Sequence, residues 1–271
     1  MEKYSVLMSL YKKEKPEYLC AAIESILNQT VKPDEIIIVK DGELTPELNT
    51  VLMKYSENPV FNIVGYKRNR GLGLALNYGL EHCKNELVAR MDTDDIAKSD
   101  RCEKQLVRFM ENPHLSLLGS NVDEFYSDPN QIVSRRVVPS SHNDIYEFAK
   151  RRSAFNHPTV MYKKSDVLNL GGYSDLKRNQ DVDLFGRMLY SGLIAENINE
   201  SLLYFRSNND LAKRRKSWEN TKSYINTIKK FWKMGYSSFA DYVIVAVAQT
   251  GMFLMPIRVQ SWVYKRFLRK K

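Results

Sequence analysis

Three carboxylates stand within four residues at Asp92-Thr93-Asp94-Asp95, directly after an apolar run, Glu86–Met91, that reads as a strand. Like charges this close repel unless a cation or a helix terminus offsets them. Hard carboxylate oxygens suit Mg2+ or Mn2+, which take one or two protein carboxylates and fill their other positions with water and substrate phosphate oxygens. The chemistry implied is the handling of a phosphorylated ligand. A helix beginning near Ser99 offers a plainer account, with Asp95 or Ser99 as its N-cap, but a cap needs one such residue and not three.

Two more polar signals follow apolar runs. Asp41 comes after Glu35–Val39 (EIIIV), and Asn69-Arg70-Gly71 comes after Val60–Tyr66. Asp, Asn and Gly dominate turns, so each alone is compatible with an ordinary loop. Ligands of open α/β sheets bind beyond the carboxyl ends of the strands, and three such signals on one edge point to a binding site. The stretch Gly71–Leu76 is a broken G-x-G-x-x-G with Leu76 in the third glycine position, which argues against a dinucleotide site. Further on, Asn179-Gln180-Asp181-Val182-Asp183 opens a helical pattern. Acids at a helix start are explained by capping and the helix dipole, and Asp183 reads best as a cap. The alternative for Asp181 is a general base, which requires the fold to bring it to the strand ends.

Short apolar runs alternate with amphipathic patterns over the first 120 residues. Tyr4–Leu10, Glu35–Val39, Val60–Tyr66 and Glu86–Met91 read as strands. Pro16 to about Asn28, Pro46–Tyr55 and Leu72–His82 read as helices. This β-α-β-α-β-α-β order predicts an α/β fold with a mostly parallel, doubly wound sheet and right-handed crossovers. The second half is less regular. Leu115–Val122, Gln131–Val138, Pro158–Tyr162 and Leu202–Arg206 look like strands, Asn143–Arg151 and Asp183–Tyr190 like helices.

The net charge of +9 is unevenly placed. Fourteen Lys and Arg stand against Glu219 and Asp241 from Lys213 onward, so residues 213–271 carry +12 and residues 1–212 carry −3. A uniformly basic nucleic-acid binder would not divide this way; the anionic partner belongs to the C-terminal segment. That segment holds an apolar run, Tyr242–Ile257, interrupted only by Gln249, Thr250 and Gly251. It is shorter than the ~20 residues of a membrane-spanning helix. Lys229, Lys230 and Lys233 precede it, Arg258, Lys265, Arg266, Arg269, Lys270 and Lys271 follow it, and Trp232, Trp262 and Tyr264 supply amphipathic rings. A helix lying in the membrane interface fits this pattern, with a helix packed on the core or on a second subunit as the alternative. No secretory signal is visible at the start, so the expected location is the cytoplasm, peripheral on the inner face of the cell membrane. Cys20, Cys83 and Cys102 have neither zinc-site spacing nor disulfide density and are expected to be reduced.

Taken together, these segments resemble family 2 glycosyltransferases of the GT-A fold over roughly residues 3–206. The opening SVLMSLY, the helix end Ser25–Thr30, DEIIIVKDG, NRGLGLALNYGL, ARMDTDDI, and Gly171–Tyr173 followed by QDVDL match family motifs in order and spacing. HPTVMYKKS and Lys213–Arg215 resemble the bacterial enzymes that build capsular and exopolysaccharide repeat units. The resemblance implies a GT-A catalytic domain over 1–212, with a donor half to about residue 120 and an acceptor half beyond it, followed by the basic segment 213–271. It implies inverting, metal-dependent transfer of a sugar from a nucleotide-diphosphate donor, with a UDP-sugar expected, to a hydroxyl of a lipid-linked or oligosaccharide acceptor. Ser9, Tyr11, Asp41, Asn69, Gly71, Asn77 and Asp92 would contact the donor. Asp94 with Asp92 would hold Mn2+ or Mg2+, and Asp181 would be the base.

The sequence also departs from the family pattern. Gly42 follows Asp41 where a second Asp is usual, Gln180 replaces Glu before Asp181, and Phe205–Asn208 lacks the His that many relatives use as a further metal ligand. No QxxRW motif is present, which implies single-sugar addition. A nucleotidylyltransferase of related fold would need a Gly-rich loop after the first strand, and Tyr11–Pro16 has none. A non-enzymatic membrane-surface protein would leave the acidic cluster without a role.

Overall fold

A computed structural model describes residues 2–207, 217–256 and 259. Lys213–Arg215 and the basic and aromatic residues beyond position 259 lie outside the described residues. The chain runs β1 (Tyr4–Leu10), α1 (Pro16–Leu27), β2 (Glu35–Asp41), α2 (Pro46–Met53), β3 (Phe61–Tyr66), α3 (Leu72–His82), β4 (Leu87–Met91), β5 (Ile96–Ala97), α4 (Arg101–Glu111), β6 (Leu115–Phe125), β7 (Ile132–Arg136) and α5 (His142–Ala149). It continues through β8 (Met161–Lys163), α6 (Lys164–Asn169), α7 (Gln180–Tyr190), β9 (Ile194–Arg206), α8 (Trp218–Lys233) and α9 (Phe239–Leu254).

One sheet carries all nine strands in the order β3-β2-β1-β4-β8-β6-β9-β5, with β7 paired to β6. The strands of the first half are parallel, as the alternating pattern predicts. The short β8 runs antiparallel to both β4 and β6 and joins the two halves. Both faces are covered, which is why β1 and β2 read as unbroken apolar runs. Val6, Met8, Ile36 and Ile38 face one core with α1, α2 and α4, while Leu7, Ile37 and Val39 face the other with α3 and α7. On β4 the same period of two sends Leu87, Ala89 and Met91 to the first core and Val88 to the second.

Several boundaries differ from the sequence pattern. Pro158 lies in a 3-10 turn, His157–Thr159, because Asn156 C=O accepts from Thr159 N–H at 2.9 Å. Strand β9 begins at Ile194, well before Leu202. Polar Asn197 hides that extension, yet it is buried and donates its amide to Pro139 C=O at 2.7 Å and Ala154 C=O at 3.0 Å. Neither Asp95 nor Ser99 caps α4, whose N-cap is Asp100. Helix α7 starts at Gln180 with Asn179 as its N-cap, so Asp183 is not a cap. All three cysteines are free, Cys83 and Cys102 being buried.

The +12 segment is distinct in charge but not in packing. Ile228, Phe231, Tyr236 and Val245 belong to the same core as Leu7, Val39 and Leu184. Asp183, fully buried, accepts from Ser174 at 2.6 Å, Arg187 at 2.9 Å and Lys230 at 2.5 Å, tying α7 to α8. Burial opposes its ionisation, but the hydrogen bonds from Lys230 and Ser174 and the Arg187 charge prevail and hold its carboxyl below the ordinary range. At Gly186 an added Cβ would lie 2.0 Å from Phe231 Cζ, so only glycine admits that ring. Gly186→Ala is therefore expected to lower the unfolding free energy by about 1–3 kcal/mol, the usual range for overpacking a core. Chemical denaturation measures it, and an unchanged midpoint and slope would rule out this packing.

Candidate active site

The carboxyl ends of β1, β2 and β4 meet at one edge of the sheet. There Asp41, buried at the end of β2, accepts from Asn69 Nδ2 at 2.7 Å, Arg70 N–H at 2.7 Å and Gly71 N–H at 3.1 Å. Two signals that stood apart in the sequence thus form one structure, with the Asp41 carboxylate organising the turn that opens α3. The approach is close enough to require glycine next door: Gly42 has φ 92°, and a Cβ there would lie 2.7 Å from Asn69 N. Ser9 is half-buried near the end of β1 and Tyr11 is exposed just beyond it.

Asn77 differs from its expected place at the donor. Its Nδ2 donates to Tyr173 C=O at 2.8 Å and its Oδ1 accepts from Tyr173 N–H at 2.7 Å. Both polar atoms of the side chain therefore hold the Gly171–Tyr173 loop against α3. Gly172, at φ 71°, leaves room for the clamp, since a Cβ there would sit 2.4 Å from Asn77 Oδ1.

The acidic turn after β4 brings one oxygen each of Asp92, Asp94 and Asp95 within 4.8 Å of one another. Asp92 pairs with Arg90 of β4, which is buried. Thr93 Oγ1 donates to Glu14 at 2.7 Å and so fastens the turn to the loop after β1. Asp95 is fully buried; its Oδ1 accepts from Arg206 N–H at 2.8 Å, and its Oδ2 has no partner among the described residues. Arg206 also donates from Nε to Asp94 C=O at 2.9 Å, while its guanidinium lies 3.9 Å from the Tyr18 ring centre. Burial, followed by the charges of Asp92 and Glu14, pushes the Asp94 carboxyl up to about 7. Burial and the Asp94 charge raise Asp95 as well. Crowded oxygen donors, one of them buried without a partner, fit a hard divalent cation.

Asp181 sits in the first turn of α7. Burial raises its carboxyl, and the N–H groups of its own helix turn, then Arg136 of β7 and Arg90 of β4, act against that rise. The Tyr173 hydroxyl is pressed toward the neutral form by burial and further by the charges of both Asp181 and Asp92. Its oxygen is 3.0 Å from His157 Nε2, and burial, then Arg90, keeps that imidazole neutral. From α8, Tyr224 donates to Arg151 C=O at 3.2 Å beside Arg136, which donates to Ser153 C=O at 2.9 Å.

The fold thus gathers Asp41, Asn69 and Gly71 into one turn and Asp92 and Asp94 into one cluster, and the charges of Asp181 and Asp92 both act on Tyr173. Sequence reasoning passed over Arg90, Glu14, Arg206 and Arg136. A signal existed for Arg90: a cation in the interior of an apolar strand, two residues before Asp92. Glu14, Arg206 and Arg136 are distant in sequence and carried no pattern.

Residues 5–167 match the model of glycosyl transferase family 2. An uncharacterized glycosyltransferase of Haemophilus influenzae is 38% identical over 99% of this chain and 100% of its own length. The UDP-Gal:alpha-D-GlcNAc-diphosphoundecaprenol beta-1,3-galactosyltransferase of Escherichia coli is 35% identical over 99% and 97%. The amylovoran biosynthesis glycosyltransferase AmsE of Erwinia amylovora is 35% identical over 97% and 98%. Among solved structures, the mannosyltransferase PcManGT of Pyrobaculum calidifontis in complex with GDP-Man and Mn2+ superposes at TM-score 0.67 with 14% identity, covering 96% of this chain and 72% of that one. TarS 1-349 of S. aureus in complex with UDP-GlcNAc superposes at 0.61 with 16% identity, covering 96% and 83%. The chain belongs to glycosyl transferase family 2, and its fold is GT-A. It is a glycosyltransferase, and its full-length relatives set it beside enzymes of polysaccharide and glycolipid synthesis. The nucleotidylyltransferase and non-enzymatic readings therefore fall away.

Asp94 yields a prediction with a definite sign. Its folded pKa of about 7 stands above the ~3.9 of an unfolded chain. In metal-free protein its contribution to stability is therefore full below about pH 4 and is lost as pH rises through about 7. In EDTA, the melting temperature of wild type relative to Asp94→Asn should fall between pH 5 and pH 8. Mn2+ at pH 8 should raise the melting temperature of wild type and leave that of Asp94→Asn nearly unmoved. An equal rise in both would remove Asp94 from the metal site.

Proposed function

We propose that this enzyme transfers a single sugar from a UDP-sugar to a hydroxyl of a lipid-linked diphosphate saccharide, with inversion and with Mn2+ or Mg2+. The observation that carries this reading is the crowding of the Asp92, Asp94 and Asp95 carboxylates at the end of β4, with Asp181 near enough that its charge and that of Asp92 act on one tyrosine, Tyr173. The donor and acceptor chemistry is that named for the Escherichia coli relative. Asp94 and Asp92 would hold the divalent ion, whose charge when bound offsets that of the departing diphosphate. Asp41 with its Asn69–Gly71 turn would receive the nucleoside, with Ser9 and Tyr11 on the neighbouring strand end. Asn77 acts one step removed, through the loop it clamps.

On the acceptor side, the hydroxyl oxygen forms a bond to the anomeric carbon as the bond from that carbon to the diphosphate oxygen breaks, and the hydroxyl proton passes to Asp181. A carboxyl raised by burial is the better base near neutral pH, provided it is ionised, and the N–H groups of its own helix turn, then Arg136 and Arg90, keep the rise in check. With UDP-galactose and a GlcNAc-diphosphoryl-alkyl acceptor, Asp181→Asn should lower kcat by about 10²–10⁴ while leaving UDP–Mn2+ affinity nearly unchanged. A collapse of that affinity would instead put Asp181 in the donor site.

Helix α9 suits a membrane surface. Val243, Ile244 and Val247 are exposed on one side of it while Asp241 and Val245 are buried on the other. Ser238 and Asp241 close a capping box that starts it, and Trp232 of α8 stacks on Tyr242 at 5.6 Å. No described helix is long and apolar enough to cross a membrane. Lys222, Lys229 and Lys233 are exposed on α8, and each Lys near an anionic surface contributes about 1 kcal/mol. We infer a peripheral location on the inner face of the cell membrane, where a lipid-linked acceptor is presented. Ile244→Glu with Val247→Glu should release the protein from anionic vesicles in sedimentation without changing its melting temperature. Undiminished sedimentation would reject the helix as the contact.

A further inference from the structure

Among the described residues, two arginines are fully enclosed by the fold, and they are treated differently. Arg101, at the start of α4, is matched on every side. Its Nε donates to Gln105 at 3.2 Å, its Nη1 to Met91 sulfur at 3.4 Å, and its Nη2 to Arg90 C=O at 2.7 Å. It ties α4 to β4. Arg90, whose own carbonyl Arg101 holds, pairs through Nη2 with Asp92 alone, while its Nε and Nη1 have no partner among the described residues. A buried guanidinium left this incomplete is unfavourable, and an apolar side chain of similar length would suit the core better.

We infer that Arg90 is a positioning residue of the transfer reaction, one fixed and buried charge that serves Asp92 on the donor side and Asp181 on the acceptor side. The inference rests on the roles proposed above for those two carboxylates. Asp92 follows Arg90 by two residues, in the turn just beyond β4, and the ion pair holds the first acidic residue of that turn in one orientation. The same charge reaches Asp94 and Asp95 and offsets part of their repulsion. Toward Asp181 the facing groups are Arg90 from β4, Arg136 from β7, Tyr173 from the loop before α7 and Tyr224 from α8, with the Val182 N–H on its own helix. Arg90 is also paired with a residue of the donor side, Asp92. The Asn77 clamp holds Tyr173, on which the charges of both carboxylates act, against α3.

Two substitutions separate charge from hydrogen-bond geometry. Arg90→Gln keeps a donor for Asp92 and removes the charge; Arg90→Lys keeps the charge and removes the planar fork. The Asp181 carboxyl can be followed by NMR titration of carboxyl-labelled aspartate, its signal assigned by its loss in Asp181→Asn. Arg90→Gln should raise its midpoint by about half a pH unit or more, a threefold change in proton affinity, and Arg90→Lys should leave it in place. Calorimetry with UDP and Mn2+ should give about tenfold weaker binding in both variants, as expected when a bidentate-capable arginine is replaced. If both fold, with lowered melting temperatures but unmoved Asp181 midpoint and UDP–Mn2+ affinity, Arg90 is a strut like Arg101 and the inference fails. Should Arg90→Gln not fold, Arg90→Lys decides: an unchanged UDP–Mn2+ affinity overturns the inference. Absence of UDP–Mn2+ binding by wild type would count against the donor reading, while the titration still judges this one.

Discussion

Negative charge concentrated at the end of a strand is the constraint to which the rest of this structure answers. Asp92, Asp94 and Asp95 leave β4 almost together, and three carboxylates so close cannot all ionise without compensation. The protein supplies it from two directions: Arg90 from within β4, and the Arg206 backbone and guanidinium from the end of β9. What remains uncompensated, the Asp95 oxygen and the raised Asp94 carboxyl, is what a divalent cation would meet. The distant pairing of β5 with β9 has its purpose here, since it delivers Arg206 to the turn.

The same economy of parts appears at the other carboxylates. Asp41 and Asp183 are both buried, and both are consumed in holding chain segments together, one a turn and the other a pair of helices. Asp181 is not drawn into a side-chain contact of this kind among the described residues; burial raises its carboxyl, and the N–H groups of its own helix turn, followed by the charges of Arg136 and Arg90, act against that rise. Partner inventory, more than sequence position, separates the aspartates that build the site from those available to act in it.

The parallel half of the sheet was legible because buried β-branched runs and Pro-started helices have strong periodic signatures, and Tyr4–Leu10 and Leu72–His82 match the observed elements to the residue. The antiparallel half was less so, since β8 is short and β9 carries buried polar residues such as Asn197 whose partners lie in other loops. Among site residues, the strand-end acids were legible because their crowding needs explaining wherever it occurs. Their counter-charges were not, because Arg90 sits in an apolar strand and Arg206 stands 111 residues from the carboxylate its backbone caps. Asn77 lies in a donor-like motif, yet its bonds go to a loop 96 residues away. Similarly, the charge boundary near residue 213 did not mark a packing boundary, as the Phe231 ring over Gly186 makes plain.

The Asn77–Tyr173 clamp bears on how such an enzyme can be recombined. A fold read as a donor half followed by an acceptor half invites exchange of halves between relatives to mix donor and acceptor preferences. Here the joint is a reciprocal pair of hydrogen bonds between one side chain and one peptide unit, with a left-handed glycine beside it that no other residue replaces without strain. A transplanted acceptor half must bring a Gly-Gly-Tyr loop of the same shape, or the donor half loses the brace on α3. The two stretches of chain are thus joined as one unit at this point.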